Sequence, residues 1–120
     1  MKHLQKERPM KISVLDQSYV IEGGTPELAL EQTTELAQYV DEIGYHRYWV
    51  SEHHHSEALA GSSPEVLIAY LAAKTKRIRV GSGGVMLPHY SAYKVAENFN
   101  VLSALAPGRI DVGIGHAPVG

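Results

Sequence analysis

Glu52-His53-His54-His55 sets one carboxylate and three imidazoles in consecutive positions, and the chain then runs into Ala58-Leu59-Ala60-Gly61-Ser62-Ser63. Imidazole has an unperturbed pKa of about 6.5, so one histidine oriented by a neighbour suits general acid–base work near neutral pH. Two other readings stand beside it: a solvated loop and a metal site. Adjacent residues on an extended segment point to opposite sides, so at most two of the three rings face one centre. A metal needs three or four convergent ligands with support behind them. On such a segment Glu52 and His54 share one side and His53 takes the other.

Three more stretches carry polar or glycine-rich ends: Asp16-Gln17-Ser18, "GSGGVMLPHYS" over 81–91, and Gly115-His116. The second is not a phosphate loop, because it lacks both the GxGxxG spacing and the GxxxxGK[ST] lysine. Gly83 and Gly84 permit unusual backbone angles and the close approach of a flat ligand, with Val85 and Met86 available to pack against one face of it. A glycine bulge closing a barrel corner is compatible with that role. Each stretch also has a structural explanation. Asp16 can cap a loop, Glu52 can be a buried carboxylate satisfied by backbone N–H groups, and His89 and His116 can simply face solvent.

The elements that must position these residues alternate strand and helix. "KISVLD" (11–16), "RYWVSE" (47–52), "RIRVGS" (77–82) and "RIDVGIG" (109–115) are short, β-branched, apolar runs, read as buried strands. Thr25-Pro26-Glu27 starts a helix whose buried face is Ala29, Thr33, Leu36, Ala37, Val40 and Ile43, ending at Gly44. Ser62 and Glu65 fit a capping box around Pro64, for a helix running to Lys74. Ser91 caps a third helix with Ala92, Val95, Ala96, Phe99, Leu102 and Leu105 inside, stopped by Pro107-Gly108. Strands recurring every 30–35 residues or so suit βα units, with parallel strands in sequence order. All four chemical stretches then fall at strand ends on one rim, where parallel α/β folds place their reactive groups.

Composition narrows the classes. The 120 residues, net charge -2, offer no large basic field for nucleic acid or an anionic membrane. There is no cysteine, which excludes disulfides and thiolate metal sites. No apolar run reaches a membrane span, and the N-terminus lacks the apolar core of a signal peptide, so a cytoplasmic location is expected. Residues 1–10 are expected to be a flexible tail and 11–120 a partial barrel of four strands and three helices. A (β/α)8 barrel takes about 250 residues. The chain is therefore expected to be either a truncated product or a half-barrel that associates with another copy.

Taken together, "KISVLDQS", "GYHRYWVSEHH", "AGSSPEVLIAYLAAKTKRIRVGSGGVMLPHYS" and "KVAENFNVLSALAPGRIDVGIG" resemble the bacterial luciferase-like monooxygenase family, in order and over nearly the whole chain. The resemblance implies the N-terminal half of a (β/α)8 TIM barrel, within the α/β class. It implies oxygenation of a small organic substrate, such as an aldehyde, with dioxygen and reduced FMN from a flavin reductase, or use of a deazaflavin in a sister branch. It also implies a homodimer. Residue by residue, His53 matches the acid/base and Glu52 the carboxylate supporting it. Ser51, Gly83, Gly84, Val85, Met86 and His116 match cofactor contacts, with a non-proline cis bond at Gly83-Gly84. Gln17 and His54 fall among the substrate contacts, and no metal is implied. His116 departs from the arginine that many relatives place on the flavin phosphate, since histidine cannot make a bidentate contact. This 120-residue piece alone is expected to bind flavin weakly and to be inactive. The rival expectation is a non-catalytic flavoprotein or self-associating half-barrel module.

Overall fold

The computed structural model describes residues 10–116; residues 1–9, all but the last residue of the expected tail, and residues 117–120 lie outside the described residues. The elements run β1 (Ser13–Asp16), α1 (Pro26–Glu42), β2 (Arg47–Val50), α2 (Pro64–Lys74), β3 (Arg79–Met86), a 3-10 turn (Leu87–His89), α3 (Ala92–Leu105) and β4 (Ile110–Gly115). All strand pairs are parallel, in the order β1-β2-β3-β4. These are four successive strands of a (β/α)8 barrel, each followed by a helix up to β4.

Two of the three helix starts follow from local chemistry. The Thr25 hydroxyl accepts the Leu28 N–H at 3.2 Å and the Ser91 hydroxyl accepts the Lys94 N–H at 3.3 Å, each meeting a donor the helix itself leaves unpaired. The capping box expected at Ser62 and Glu65 does not form: the N-cap is Ser63, its side chain caps nothing, and Pro64 supplies the fixed φ that starts α2. Gly44, at φ +89, turns the chain out of α1 in the left-handed region that glycine tolerates.

The core lies between the outer face of the sheet and the three helices. Tyr48, Val50, Val80 and Val85 from the strands, with Ile78 just before β3, meet Ala37, Val40, Ile68, Leu71, Phe99 and Leu102 from the helices. Each fully buried aliphatic side chain there contributes about 1.5–3 kcal/mol relative to exposure. The buried stripes are narrower than periodicity suggested. Leu36 and Ile43 on α1 are 40% and 53% exposed, and Leu105 on α3 is 74% exposed. Ala92 and Ala96 are exposed too. On α1 the stripe turns toward Asp41 instead, because its carboxylate is claimed by the start of β3.

β3 continues past Ser82, where the sequence suggested an end. Ser82 pairs with Val112 and Val85 with Ile114, so β3 spends one residue more than β4 between these pairs. This is the bulge that Gly83 and Gly84 allow, and it returns Val85 to the helix side of the sheet. The opposite face, carrying Leu15, Arg47, Trp49, Arg79 and Asp111 by strand alternation, has no helix against it among the described residues.

Candidate functional site

The carboxyl ends of the four strands converge on one rim, and their backbones make a bare patch there. Gly81, Gly83, Gly113 and Gly115 occupy neighbouring inward positions on β3 and β4, so this part of the inner face carries no side chain. A Cβ at Gly81 would strike the Trp49 ring and the Asp111 carbonyl at 2.8 Å, and one at Gly115 would strike the Met86 methyl. Gly83 differs: a Cβ there would meet Trp49 and Leu15 at 3.4 and 3.6 Å, ordinary contact distances. Leu15 and Trp49 thus flank the patch below, and Met86 lies above it. The bond between Gly83 and Gly84 is cis.

Beside the patch stands a buried carboxylate. Glu52 is 2% exposed. Its Oε1 accepts the Met86 N–H at 3.2 Å. Its Oε2 receives the Tyr90 hydroxyl at 2.8 Å and lies 2.5 Å from His54 Nε2. The Glu52 and His54 side chains therefore come together, two residues apart on an extended segment, as alternation requires. His53 is half-buried and is tied by its backbone, whose N–H donates to the Gly61 carbonyl at 2.8 Å. His89 stands edge-on to His54 and to Tyr90, with ring centroids 5.7 and 6.3 Å apart. Burial first, then the Glu52 hydrogen bond and charge, push the Tyr90 phenol up to about 12. Among the described residues no three His, Asp or Glu side chains converge on a point that could hold a metal ion.

The loops behind the rim are zipped together. Tyr19 and Leu59 form an antiparallel bridge, and the Val20 and Ala60 N–H groups donate to Ala58 and Ser18. A Cβ on Gly61 would sit 3.3 Å from the Gln17 and Ser51 carbonyls, so the absence of a side chain lets the loops close. Asp16 caps its own loop by accepting the Ser18 N–H at 2.7 Å, and its other oxygen takes the Tyr48 hydroxyl. Burial, then Asp16, raise the Tyr48 phenol far above its ordinary range, so it remains a donor. Ser18 and His55, at φ +54 and +57, are non-glycine residues in the left-handed region, and both lie in rim loops. Such residues cost about 1–3 kcal/mol and persist where surroundings hold them.

The expected contacts separate into those at the mouth and those behind it. Gly83, Met86 and His54 are at the mouth. Gln17 is half-buried, and its Oε1 accepts the Tyr19 hydroxyl at 2.7 Å. Val85 faces the helices at 1% exposure, so it can offer only backbone to a ligand on the inner face. Ser51 is buried and its hydroxyl has no partner, the one such side-chain atom among the described residues. His116 follows β4 and is exposed. Tyr90 and Tyr48 were not anticipated. The signal for Tyr90 was its place in "LPHYS", one turn beyond the strand end.

A bare backbone patch with flanking Leu15, Trp49 and Met86 fits a flat, partly apolar ring, and the Ser51 hydroxyl is a spare polar group beside it. Comparison with known proteins agrees. Residues 10–118 match the luciferase-like monooxygenase family profile. The N-acetyl-S-alkylcysteine monooxygenase of Bacillus subtilis (strain 168) is 60% identical over 111 residues, which cover 92% of this chain and 33% of that protein. The structure of apo-MsnO8 superimposes with a TM-score of 0.88 at 54% identity, over 89% of this chain and 32% of that one. The oxygenating constituent of 3,6-diketocamphane monooxygenase from the CAM plasmid of Pseudomonas putida, in complex with FMN, gives 0.84 at 27% identity, over 92% and 30%. The chain thus spans about a third of the length of these relatives. On its fold and its sequence, it belongs to the luciferase-like monooxygenase family.

Proposed function

We propose that this chain forms part of the cofactor mouth of a flavin-dependent monooxygenase that oxygenates a small organic substrate. The observation that carries the reading is the side-chain-free patch at Gly83, Gly113 and Gly115, beside the Glu52–His54 pair. The FMN complex of the Pseudomonas putida neighbour supports the choice of cofactor. Bound there, reduced FMN supplies the electrons for activation of dioxygen.

The chain's own residues orient the ring and manage a proton. Backbone at Gly83 and Gly84 lets the ring lie close to the strands, with Leu15, Trp49 and Met86 excluding water from its face. Ser51 offers a hydroxyl to a polar edge. His54, oriented by Glu52, holds a proton at Nε2 and presents the rest of its ring toward the rim. His53 keeps the acid/base role expected of it as the alternative, so the two histidines are tested side by side. His116 supplies at most one hydrogen bond to a phosphate. Oxygenation of a thioether such as an S-alkylated N-acetylcysteine, the substrate class named for the 60% identical relative, is tested beside an aldehyde. A separate reductase delivers the reduced flavin, and the assembled enzyme works as a homodimer.

The test joins this chain to the later two thirds of the Bacillus subtilis relative and titrates the product with oxidised and reduced FMN and with a deazaflavin. FMN binding with substrate-dependent oxygen uptake supports the reading. A folded product that binds only the deazaflavin replaces the cofactor, and one that binds neither ends the proposal. The 120-residue chain alone is expected to bind FMN weakly and turn nothing over.

A further inference from the structure

Glu52 is held from three sides, and only one of its partners is a histidine. An ionised carboxylate accepts at both oxygens, so with Glu52 in that form the 2.5 Å contact is a bond from His54 Nε2–H and leaves Nδ1 as the nitrogen not committed to Glu52. Whether that arrangement holds depends on Glu52 staying in one orientation. The Met86 N–H fixes Oε1 and the Tyr90 hydroxyl fixes Oε2. Tyr90 arrives from the far side of the 3-10 turn, 38 residues away in sequence.

We propose that Tyr90 is a positioning residue for the Glu52–His54 pair: its hydroxyl shares Oε2 with His54 and thereby sets which His54 nitrogen is protonated and how the ring is turned at the mouth. His89, edge-on to both rings, keeps them in place from outside. Because the phenol is pushed up to about 12, Tyr90 donates throughout any working pH range. The sharing has a chemical sense. Without the hydroxyl, one of the three groups that hold Glu52 is lost, and the carboxylate and the His54 ring bound to it are freer to swing together. The catalytic consequence rests on the flavin reading above; the positioning itself does not.

The experiment is long-range proton–nitrogen NMR of the histidine rings in the 120-residue chain, comparing wild type with Tyr90→Phe and Glu52→Gln, with His54→Gln to identify the signals. Wild type should show His54 as the Nε2–H form. Tyr90→Phe should shift the His54 ring nitrogens and speed exchange of the Nε2 proton with water several-fold, leaving His53 and His55 unchanged and lowering the melting temperature only by as much as the loss of one hydrogen bond. Glu52→Gln should abolish the preference for one tautomer. His54 signals identical in wild type and Tyr90→Phe would overturn the proposal, as would a His54 found as the Nδ1–H form. A merely structural Tyr90 would disturb all rim histidines together, and that result also counts against it. FMN titration of the same variants, joined to the later strands of the relative, separates the two readings. His54 responding while no sample binds FMN removes the flavin reading alone. FMN binding with an indifferent His54 removes this one alone.

Discussion

Two carboxylates, one at each end of the sheet, accept three hydrogen bonds apiece and do different work with them. At the base, Asp41 accepts the N–H groups of Lys76, Arg77 and Ile78 at 2.7, 3.0 and 2.8 Å. At the rim, Glu52 accepts one N–H, one phenol and one imidazole. Backbone donors cannot give up their protons or swing away, so the Asp41 cluster has a single state and acts as a fastening where the chain turns into β3. Two of the donors on Glu52 are side chains, the Tyr90 phenol and the His54 imidazole, and side chains can turn away. The same acceptor count gives stability at one end and adjustable chemistry at the other. The base is reinforced further by Asp111, gripped by Arg47 at 2.7 Å and by Arg79 at 2.8 and 2.9 Å. Arg109 also belongs to it, reaching the Ile78 carbonyl and the Thr75 hydroxyl. This matches the division of barrels into a reactive top and a stabilising bottom.

Substitution at the base should give the largest effect. Asp41→Ala leaves three amide donors without their acceptor and is expected to cost about 3 kcal/mol, at about 1 kcal/mol for each bond lost. Urea unfolding measures it. If Asp41→Ala leaves the midpoint in place, the contrast between the two ends fails. At the rim, Gly83→Ala should do the reverse. Its Cβ finds ordinary contacts with Trp49 and Leu15, so stability should fall by less than about 1 kcal/mol. The same methyl stands on the bare patch and should weaken FMN binding about tenfold in the completed barrel, equivalent to about 1.4 kcal/mol. Unchanged affinity would move the ring elsewhere.

Acid should act through the base first. Burial by itself would raise the Asp41 carboxyl, but the three amides and the Arg77 charge outweigh it and hold it below the ordinary carboxylate range. Asp111 is held low chiefly by its Arg79 hydrogen bond, against burial and with help from Arg47. A folded-state pKa below the unfolded value means stability that is fully present above about pH 4 and lost as pH falls through the folded value. Stability measured from pH 6 down to 2 should therefore drop below about pH 4, and less steeply in Asp41→Asn. Equal slopes would assign the acid sensitivity to other groups. The smallest effect belongs to neither end. Lys94 and Glu97 form an exposed pair at 3.6 Å on α3, and Lys94→Ala should change stability by less than about 0.5 kcal/mol.

The order of elements was legible because each carries a local signal. Strands announced themselves as β-branched runs, and helices by Thr25, Pro64 and Ser91 at their starts. What failed were inferences that depend on neighbours. Leu36, Ile43 and Leu105 fit the apolar period but lie where no other described element covers them. β3 was expected to stop at Ser82 because glycine punctuates strands, yet pairing with β4 carries it to Met86. At the site, the Glu52–His54 geometry followed from alternation alone. Tyr90 and Asp41 did not, because their partners lie 35 or more residues away and no spacing rule joins them. Val85 was placed on the wrong face for a single reason: the extra residue just before it.

That extra residue makes length matter more than identity between Ser82 and Met86. Removing one glycine would restore even counting against β4 and leave the next two side chains facing as they do now, whereas removing both would exchange their destinations. In the double deletion the valine would turn to the mouth and the thioether would press into the helix layer. A homologue with a one-residue gap here should accordingly keep its small branched side chain and its long flexible one in this order, and one with a two-residue gap should carry them swapped.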